Sequence, residues 1–148
     1  MSVPLASSGV FLVFSSTRAL VMDPGAWDAH AQRFFRTRLL GTPEGTVRVE
    51  PKGEAQGDRV VTWRDAEAGD YALAEEGERR AGGGGLAGLA RRCPAVWVVE
   101  RTSRDDRLAL RLAMILASVH LGPIVDPDGP ELFGVKTARA KLDAELAQ

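Results

Sequence analysis

Hydrophobic positions divide the chain into short strand-like runs and longer helical stripes. Val10 to Phe14 and Ala95 to Val99 are uninterrupted apolar runs rich in β-branched and aromatic residues, which is typical of strands covered on both faces. Thr46 to Glu50 instead alternates in polarity, and Arg59 to Trp63 follows it after the polar loop Pro51 to Asp58. We therefore expect two central strands and, between them in sequence, an antiparallel hairpin.

Apolar residues at helical spacing predict the main helices. Asp23 and Pro24 suit the start of a helix that continues to about Leu40, because aspartate caps helices and proline fits their first turn. Its expected buried face contains Trp27, Ala31, Phe34, Phe35 and Leu39. Ser103 to Asp106 matches a capping box, and the helix that follows, to about His120, is apolar nearly all round. We expect this second helix to be the most buried element.

The rest of the pattern completes two similar halves. It predicts helices at 66–80, 86–92 and 136–146 and a second hairpin from strands at 124–126 and 131–135. Each half then has the order strand, helix, hairpin, helix, which indicates an α+β fold with a mixed, mainly antiparallel sheet and packed helices. A duplicated ferredoxin-like or split βαβ plan is one such arrangement. We expect residues 1–148 to form a single globular domain with a flexible glycine-rich loop at 81–85.

Composition excludes several classes of protein. The chain has 148 residues, of which 45% are hydrophobic and 26% charged, and its formal net charge is −1. This near-neutral net charge lacks the excess of basic residues that is typical of nucleic-acid-binding proteins. The first nine residues carry no positive charge, and the apolar run from Val10 to Phe14 is too short to cross a membrane. We therefore expect neither a signal peptide nor a membrane span, and a cytoplasmic location. Sixteen arginines against three lysines indicate GC-rich coding DNA, which is common in bacteria.

Within the glycine-rich segment 82–88, residues 83–88 match G-x-G-x-x-G, the pattern of dinucleotide-binding loops. The preceding residues, Glu75 to Arg80, are mostly charged and unlike a strand, and Pro94 ends the following helix early. We interpret the segment as a flexible loop. The alternative is a small-ligand or nucleotide site, whose anion-binding candidates are Gly83, Gly85, Gly88, Arg91 and Arg92.

Few residues offer metal or acid–base chemistry. The chain has one cysteine and two separated histidines, so we expect no metal, no cofactor and no catalytic group. His30 is interpreted as a structural or surface residue, as is His120, where a helix C-terminus favours an imidazolium. Cys93 is either a buried helix-closing residue or a thiol with a lowered pKa. Asp126, Asp128 and Glu131 could suggest a divalent-cation site, but turn formation explains the same residues. Ser15 and Ser16 follow a central strand, where nucleophiles often lie, but no G-x-S-x-G elbow surrounds them. The alternative is an enzyme site of dispersed residues such as His30, Cys93 and Asp126.

Charge is unevenly distributed along the chain. Residues 41–80 contain six basic and ten acidic side chains. A local acidic cluster consists of Glu67, Asp70, Glu75, Glu76 and Glu78, which could meet a basic partner. These observations favour a non-catalytic protein-binding module: an immunity or antitoxin-type protein that neutralises an effector by occlusion, or a small adaptor or regulatory subunit. An exposed edge strand or the last helix could also pair two copies as a homodimer.

Overall fold

The computed structural model describes residues 9–18 and 21–146 and contains seven strands and five helices. The first half comprises β1 (Val10–Ser15), α1 (Pro24–Phe35), β2 (Thr37–Gly41), β3 (Thr46–Pro51), β4 (Gly57–Asp65), α2 (Ala68–Ala81) and α3 (Leu86–Arg91). The second comprises β5 (Ala95–Glu100), α4 (Arg107–His120), β6 (Ile124–Asp126), β7 (Glu131–Phe133) and α5 (Val135–Leu146). The expectation about the N-terminal segment 1–8 lies outside the described residues.

The seven strands form one sheet in the order β2-β3-β4-β5-β1-β6-β7. Each pairing of neighbours among the described strands is antiparallel. Strands β1 and β5 lie at the centre and pair along their whole length, from Val10 opposite Glu100 to Ser15 opposite Ala95. The predicted α+β class is confirmed, as are the two central strands and both hairpins.

Helices pack on both faces of the sheet, and the core is larger on one face than on the other. On the first face, α1, α4 and α5 bury the larger core, which includes Trp27, Trp97 and Leu112. On the second face, α2 and α3 bury a smaller core with Phe14 and Val96. Successive side chains of a strand point to opposite faces, so the apolar runs of β1 and β5 supply both cores. Continuous hydrophobicity in these strands thus has the predicted cause.

The second face of β2, β3 and β4 is left uncovered. Leu40 is 45% exposed and Val60 is 37% exposed there, whereas Leu39 and Val61, their neighbours on the first face, are buried. This difference explains the clean alternation of polarity that the sequence shows in β3.

The first helix is shorter than predicted. It begins as expected, with the Asp23 side chain accepting a hydrogen bond from the amide of Ala26, but it ends at Phe35 rather than near Leu40. Arg36 adopts a left-handed conformation with φ 48°, and β2 starts at the next residue. The prediction failed because Leu39 reaches the core from either a helix or a strand. Phe34, which was expected in the buried face, is instead 51% exposed.

Helix α4 starts later than the capping box suggested. Its N-cap is Asp106, which accepts a hydrogen bond from the amide of Ala109, so Ser103 lies in the preceding turn. Asp106 also accepts two hydrogen bonds from Arg59, at 2.7 and 2.8 Å, and one from the Thr102 amide. Eight of the fourteen helical residues are buried, as the continuous apolar pattern predicted.

The two halves of the chain have similar orders of elements, but the corresponding elements occupy different positions in the fold. Three strands follow α1, whereas only two follow α4. Strand β4 of the first half borders β5 of the second half, and β6 of the second half borders β1 of the first. Helix α2 of the first half and helix α5 of the second half pack on opposite faces of the sheet. The repeated order is therefore not a repeated packing.

Candidate functional site

A cleft rich in basic side chains lies between the end of α1, the β3–β4 loop, α4 and α5. Its volume is about 410 Å³, within the range of small-molecule and side-chain pockets. We call it the cationic cleft. It is lined by Phe34, Phe35, Arg36, Lys52, Glu54, Arg111, Met114, Arg139, Leu142 and Asp143.

Two of the basic residues are placed together by backbone structure. Arg36 ends α1, and its carbonyl accepts a hydrogen bond from the amide of Lys52 at 2.9 Å. This bond continues the β2–β3 ladder, in which Thr37 lies opposite Pro51. The left-handed conformation of Arg36 turns the chain from helix to strand. Both cations are consequently held at the same rim, where each is exposed.

Arg111 forms the inner basic side of the cleft. Its guanidinium Nη2 lies 2.6 Å from Glu54 Oε2, and Arg107 contacts the other oxygen of the same carboxylate at 3.0 Å. Burial lowers the pKa of Arg111, and the charge of Glu54 opposes that effect. A single carboxylate thus serves two partly buried guanidinium groups.

Arg139 and several apolar side chains complete the cleft. The Arg139 guanidinium lies over the Phe35 ring, 5.0 Å from its centroid, and donates to the Phe34 carbonyl at 3.1 Å. Met114 and Leu142 are buried beneath. Cation–π and carbonyl contacts position a guanidinium without neutralising it. The cleft therefore combines an apolar floor with charged walls.

The charges of the cleft are unbalanced. Four basic residues and two acidic residues line it. Arg36, Lys52 and Arg139 make no ion pair with a carboxylate anywhere in residues 9–18 and 21–146. Glu54 is already bound by two arginines. The cleft therefore offers positive charge to an incoming anion.

A second hollow of about 490 Å³ adjoins the cationic cleft. Arg36 and Lys52 line both spaces and form the ridge between them. The other residues of the second hollow are Gln32, Thr37, Arg38 and Glu50. It thus extends the basic surface from α5 to the edge strand β2.

The glycine-rich segment forms the connection between α2 and α3. All four residues from Gly82 to Gly85 have positive φ, and the following helix has only six residues. Glu78 Oε1 accepts the amide hydrogen of Ala87 at 2.9 Å, so a carboxylate already binds the first turn of α3. Arg91 forms an ion pair with Glu75, and Arg92 is exposed. Gly83 and Gly85 thus precede α3 and Gly88 lies within it, and the first turn of this helix is already bound by a carboxylate.

The predicted acidic cluster lies on and beside α2, and each of its carboxylates has an intramolecular partner. Asp70 is buried and accepts two hydrogen bonds from Arg64, at 2.7 and 2.9 Å. It also forms a capping box with Glu67, and Glu76 pairs with Arg79. With Glu75 and Glu78 bound as described, the cluster is largely committed to the fold. Its role in binding a partner stays a prediction.

His120 lies in an aromatic cluster with all three tryptophans of the chain. Trp27 donates to its Nε2 at 3.2 Å, and burial lowers its pKa to about 4. The expectation of a helix-stabilised imidazolium is therefore wrong, because burial disfavours the charged form of the ring. His30 makes a 2.8 Å hydrogen bond with Ser118, which fits the predicted structural role.

Cys93 follows α3 and is buried. Burial raises the pKa of its thiol, and the nearby Arg92 charge only partly offsets this. The alternative of a reactive, lowered-pKa thiol is therefore wrong, and the interpretation as a small buried residue that closes a helix is confirmed. Its Sγ also lies within hydrogen-bonding distance of the Leu89 carbonyl.

The aspartates near the second hairpin have structural partners. Asp126 accepts hydrogen bonds from Arg101 and from the amide of Asp128, at 2.7 and 2.9 Å, which supports the turn-forming role. Lys141 pairs with Glu131. The remaining polar candidates bond to the backbone: Ser15 to Thr17 and Ser16 to His120. In the described ranges, no three His, Cys, Asp or Glu side chains are grouped to hold a metal ion.

The sequence interpretation missed the cationic cleft. Its basic residues lie at positions 36, 52, 111 and 139, in four different elements. The excess of arginine over lysine indicates codon usage, and the four positions are far apart in the sequence. The available signal was Lys52, one of only three lysines, in a loop after a predicted strand.

Comparison with protein-family models, with curated proteins and with solved structures finds no match in any of the three. Across residues 9–18 and 21–146, no helix has both the length and the hydropathy of a membrane span.

Proposed function

We propose that the protein is a non-catalytic protein-binding module that holds an acidic segment of its partner in the cationic cleft. The observation that carries the proposal is the set of three basic side chains, Arg36, Lys52 and Arg139, without a carboxylate partner among the described residues. An immunity or antitoxin-type protein that occludes an effector, or an adaptor subunit, belongs to this class.

Electrostatics supports an acidic partner. Complementary charge raises the rate of association and discriminates against wrong partners. Guanidinium groups also bind carboxylates in a fixed, bidentate geometry. Arg139 is held over Phe35 and oriented by the Phe34 carbonyl, so it would lose little conformational freedom on binding. The cleft is therefore partly preorganised for a carboxylate.

Capture with matched variants tests the proposal. Wild-type protein, the double variant Lys52→Glu/Arg139→Glu and the control Arg80→Glu would be immobilised and exposed to a lysate of the source cells. Arg80 is exposed on α2, across the sheet from the cleft. We expect a protein that wild type and control retain and the double variant loses, with binding of the purified partner weakened at least about tenfold.

Retention of the same partner with unchanged affinity by the double variant would contradict the proposal. Thermal unfolding of each variant provides the control for folding. The exposed positions of Lys52 and Arg139 lead us to expect melting temperatures close to that of wild type.

A small organic anion is the second candidate ligand, and the volume of the cleft, about 410 Å³, favours it. Calorimetric titration with aliphatic and aromatic carboxylates tests it. We expect heat of binding in wild type that the double variant lacks. Equal signals from both proteins would exclude binding in the cleft.

A further inference from the structure

The two basic hollows differ in chemistry although they share a ridge. The cationic cleft has Phe34, Phe35, Met114 and Leu142 at its floor and side. The second hollow has no such group: apart from the shared Arg36 and Lys52, its lining is Gln32, Thr37, Arg38 and Glu50. A ligand that spans both can place an apolar side chain against the half-exposed Phe34 ring at one end and an anionic group beside Arg38 at the other.

We infer that the partner presents an extended acidic segment with one large apolar side chain, which enters the cationic cleft while a neighbouring carboxylate reaches Arg38 in the second hollow. This inference rests on the proposed function, because it specifies the acidic segment. Leu, Met or Phe suits the apolar floor, and Asp or Glu suits the basic ridge. Burial of a large apolar side chain adds affinity that charge alone does not supply.

Charge along the path matches such a segment. From α5 to β2 the basic residues are Arg139, Arg111, Lys52, Arg36 and Arg38, and the acidic residues that line the two spaces are Glu54, Asp143 and Glu50. Glu54 is bound to Arg107 and Arg111. A segment with two or three carboxylates therefore meets an excess of positive charge along its length.

The geometry of β2 indicates that the segment lies across the ridge and does not add as an eighth strand. Even-numbered residues of β2 bond to β3, as the Lys52 amide to the Arg36 carbonyl and the Thr42 amide to the Thr46 carbonyl show. The backbone amides and carbonyls of the odd-numbered residues thus point to the outer edge of the sheet. The amide of Leu39, in the middle of that edge, already donates to Asp28 Oδ1 at 2.8 Å. Strand addition needs such amides free.

Labelled peptides of equal length test the inference by fluorescence anisotropy. The first contains one Leu among Asp and Glu residues, the second has Ser for Leu, and the third has Asn and Gln for the acids. We expect the first to bind wild type about tenfold more tightly than the second, and the third to bind weakest. These comparisons change only the peptide, so folding of the protein is not at issue.

Protein variants then locate the two ends. Phe34→Ser should reduce the difference between the Leu and Ser peptides, whereas Val60→Ser, an exposed apolar control on the opposite face of the sheet, should preserve it. Arg38→Glu should weaken both acidic peptides several-fold, and Arg80→Glu should not. Phe34 is half exposed, so its replacement leaves the buried core intact.

The outcomes separate the inference from the proposed function. Equal affinity of wild type for the Leu and Ser peptides would overturn the inference. If the double variant Lys52→Glu/Arg139→Glu then bound neither peptide, the proposed binding of an acidic segment in the cleft would still hold. Binding of no acidic peptide to wild type would overturn both.

Discussion

The acidic helix α2 and the cationic cleft are both concentrations of one charge, but the fold uses them differently. On α2 and beside it, Asp70 binds Arg64, Glu76 binds Arg79, and Glu78 holds the start of α3. In the cleft, Arg36 and Lys52 have no ion pair among the described residues. A run of like charges in a sequence therefore does not indicate charge available to a partner.

The difference has a simple physical origin. Neighbouring acids on one helix can be neutralised by arginines three residues away or in the next element, as Arg79 and Arg91 show. The cleft cations come from four elements, and one of the two carboxylates that line the cleft, Glu54, already serves Arg107 and Arg111. Whether a charge is available to a partner therefore depends on the local ratio of acidic to basic side chains. Changes that alter the ratio should therefore affect stability on α2 and binding at the cleft.

The largest expected effect on stability comes from the acidic helix. Asp70→Ala removes a buried carboxylate that both caps α2 and binds Arg64, so the free energy of unfolding should fall by about 3 kcal/mol. Arg64 is itself partly exposed, which keeps the loss at the lower end for a broken buried pair. Urea denaturation measures the change. A loss of unfolding free energy no larger than that caused by replacing an exposed residue with alanine would contradict the claim that the acids of α2 stabilise the fold.

The fold keeps His120 uncharged, so the stability of the protein should fall when acid protonates this residue. His120 has a pKa of about 4 in the folded protein, against 6.5 for a solvated imidazole, so the unfolded chain binds its proton first. Stability from this group is complete above the unfolded pKa and is lost as pH falls toward the folded value, by roughly 2 kcal/mol between pH 7 and pH 5. His120→Gln should remove that part of the pH dependence in urea titrations, and an unchanged profile would exclude His120 as its source.

An intermediate effect is expected at the join between α2 and α3. Glu78→Gln keeps the shape of the side chain but removes the charge that strengthens its hydrogen bond with the Ala87 amide. Stability should fall by about 1 kcal/mol. Added inorganic phosphate should raise the melting temperature of this variant no more than it raises that of wild type. A phosphate-specific gain would revive the glycine-rich loop as an anion site.

The smallest effect on stability is expected in the cleft. Lys52→Ala removes an exposed charge with no ion-pair partner among the described residues and with basic neighbours, so stability should change by less than about 0.5 kcal/mol. Relief of repulsion from Arg36 gives the change a stabilising direction. A loss of more than about 1 kcal/mol in urea denaturation would show that Lys52 serves the fold, as the acids of α2 do.

Much of the fold followed from local pattern. The bounds of β5 and β6 agree with the sequence prediction to within one residue, because continuous apolar runs flanked by polar or turn residues leave little choice. Strand β2 was missed because helical and strand spacing both place Leu39 in the core. Only the left-handed turn at Arg36 decides between them, and an arginine gives no local signal for that conformation.

The candidate site was less accessible to sequence reasoning. The acidic cluster was visible because helix α2 collects its residues within a dozen positions. Whether those acids are free depends on Arg64 and Arg91, whose positions only the tertiary structure fixes. The cleft depends on the packing of α1, α4 and α5 around one loop, so its residues are neighbours in space alone.

Chemical-shift mapping tests the central claim most directly. The backbone amide spectrum of the wild-type protein would be followed during titration with the acidic, leucine-containing peptide. The largest shifts are expected at Arg36, Lys52, Gly53 and Arg139, with α2 and the loop from Gly82 to Gly85 unchanged. Shifts concentrated at α2 and that loop, with the cleft residues unmoved, would contradict the assignment of the cationic cleft as the binding site.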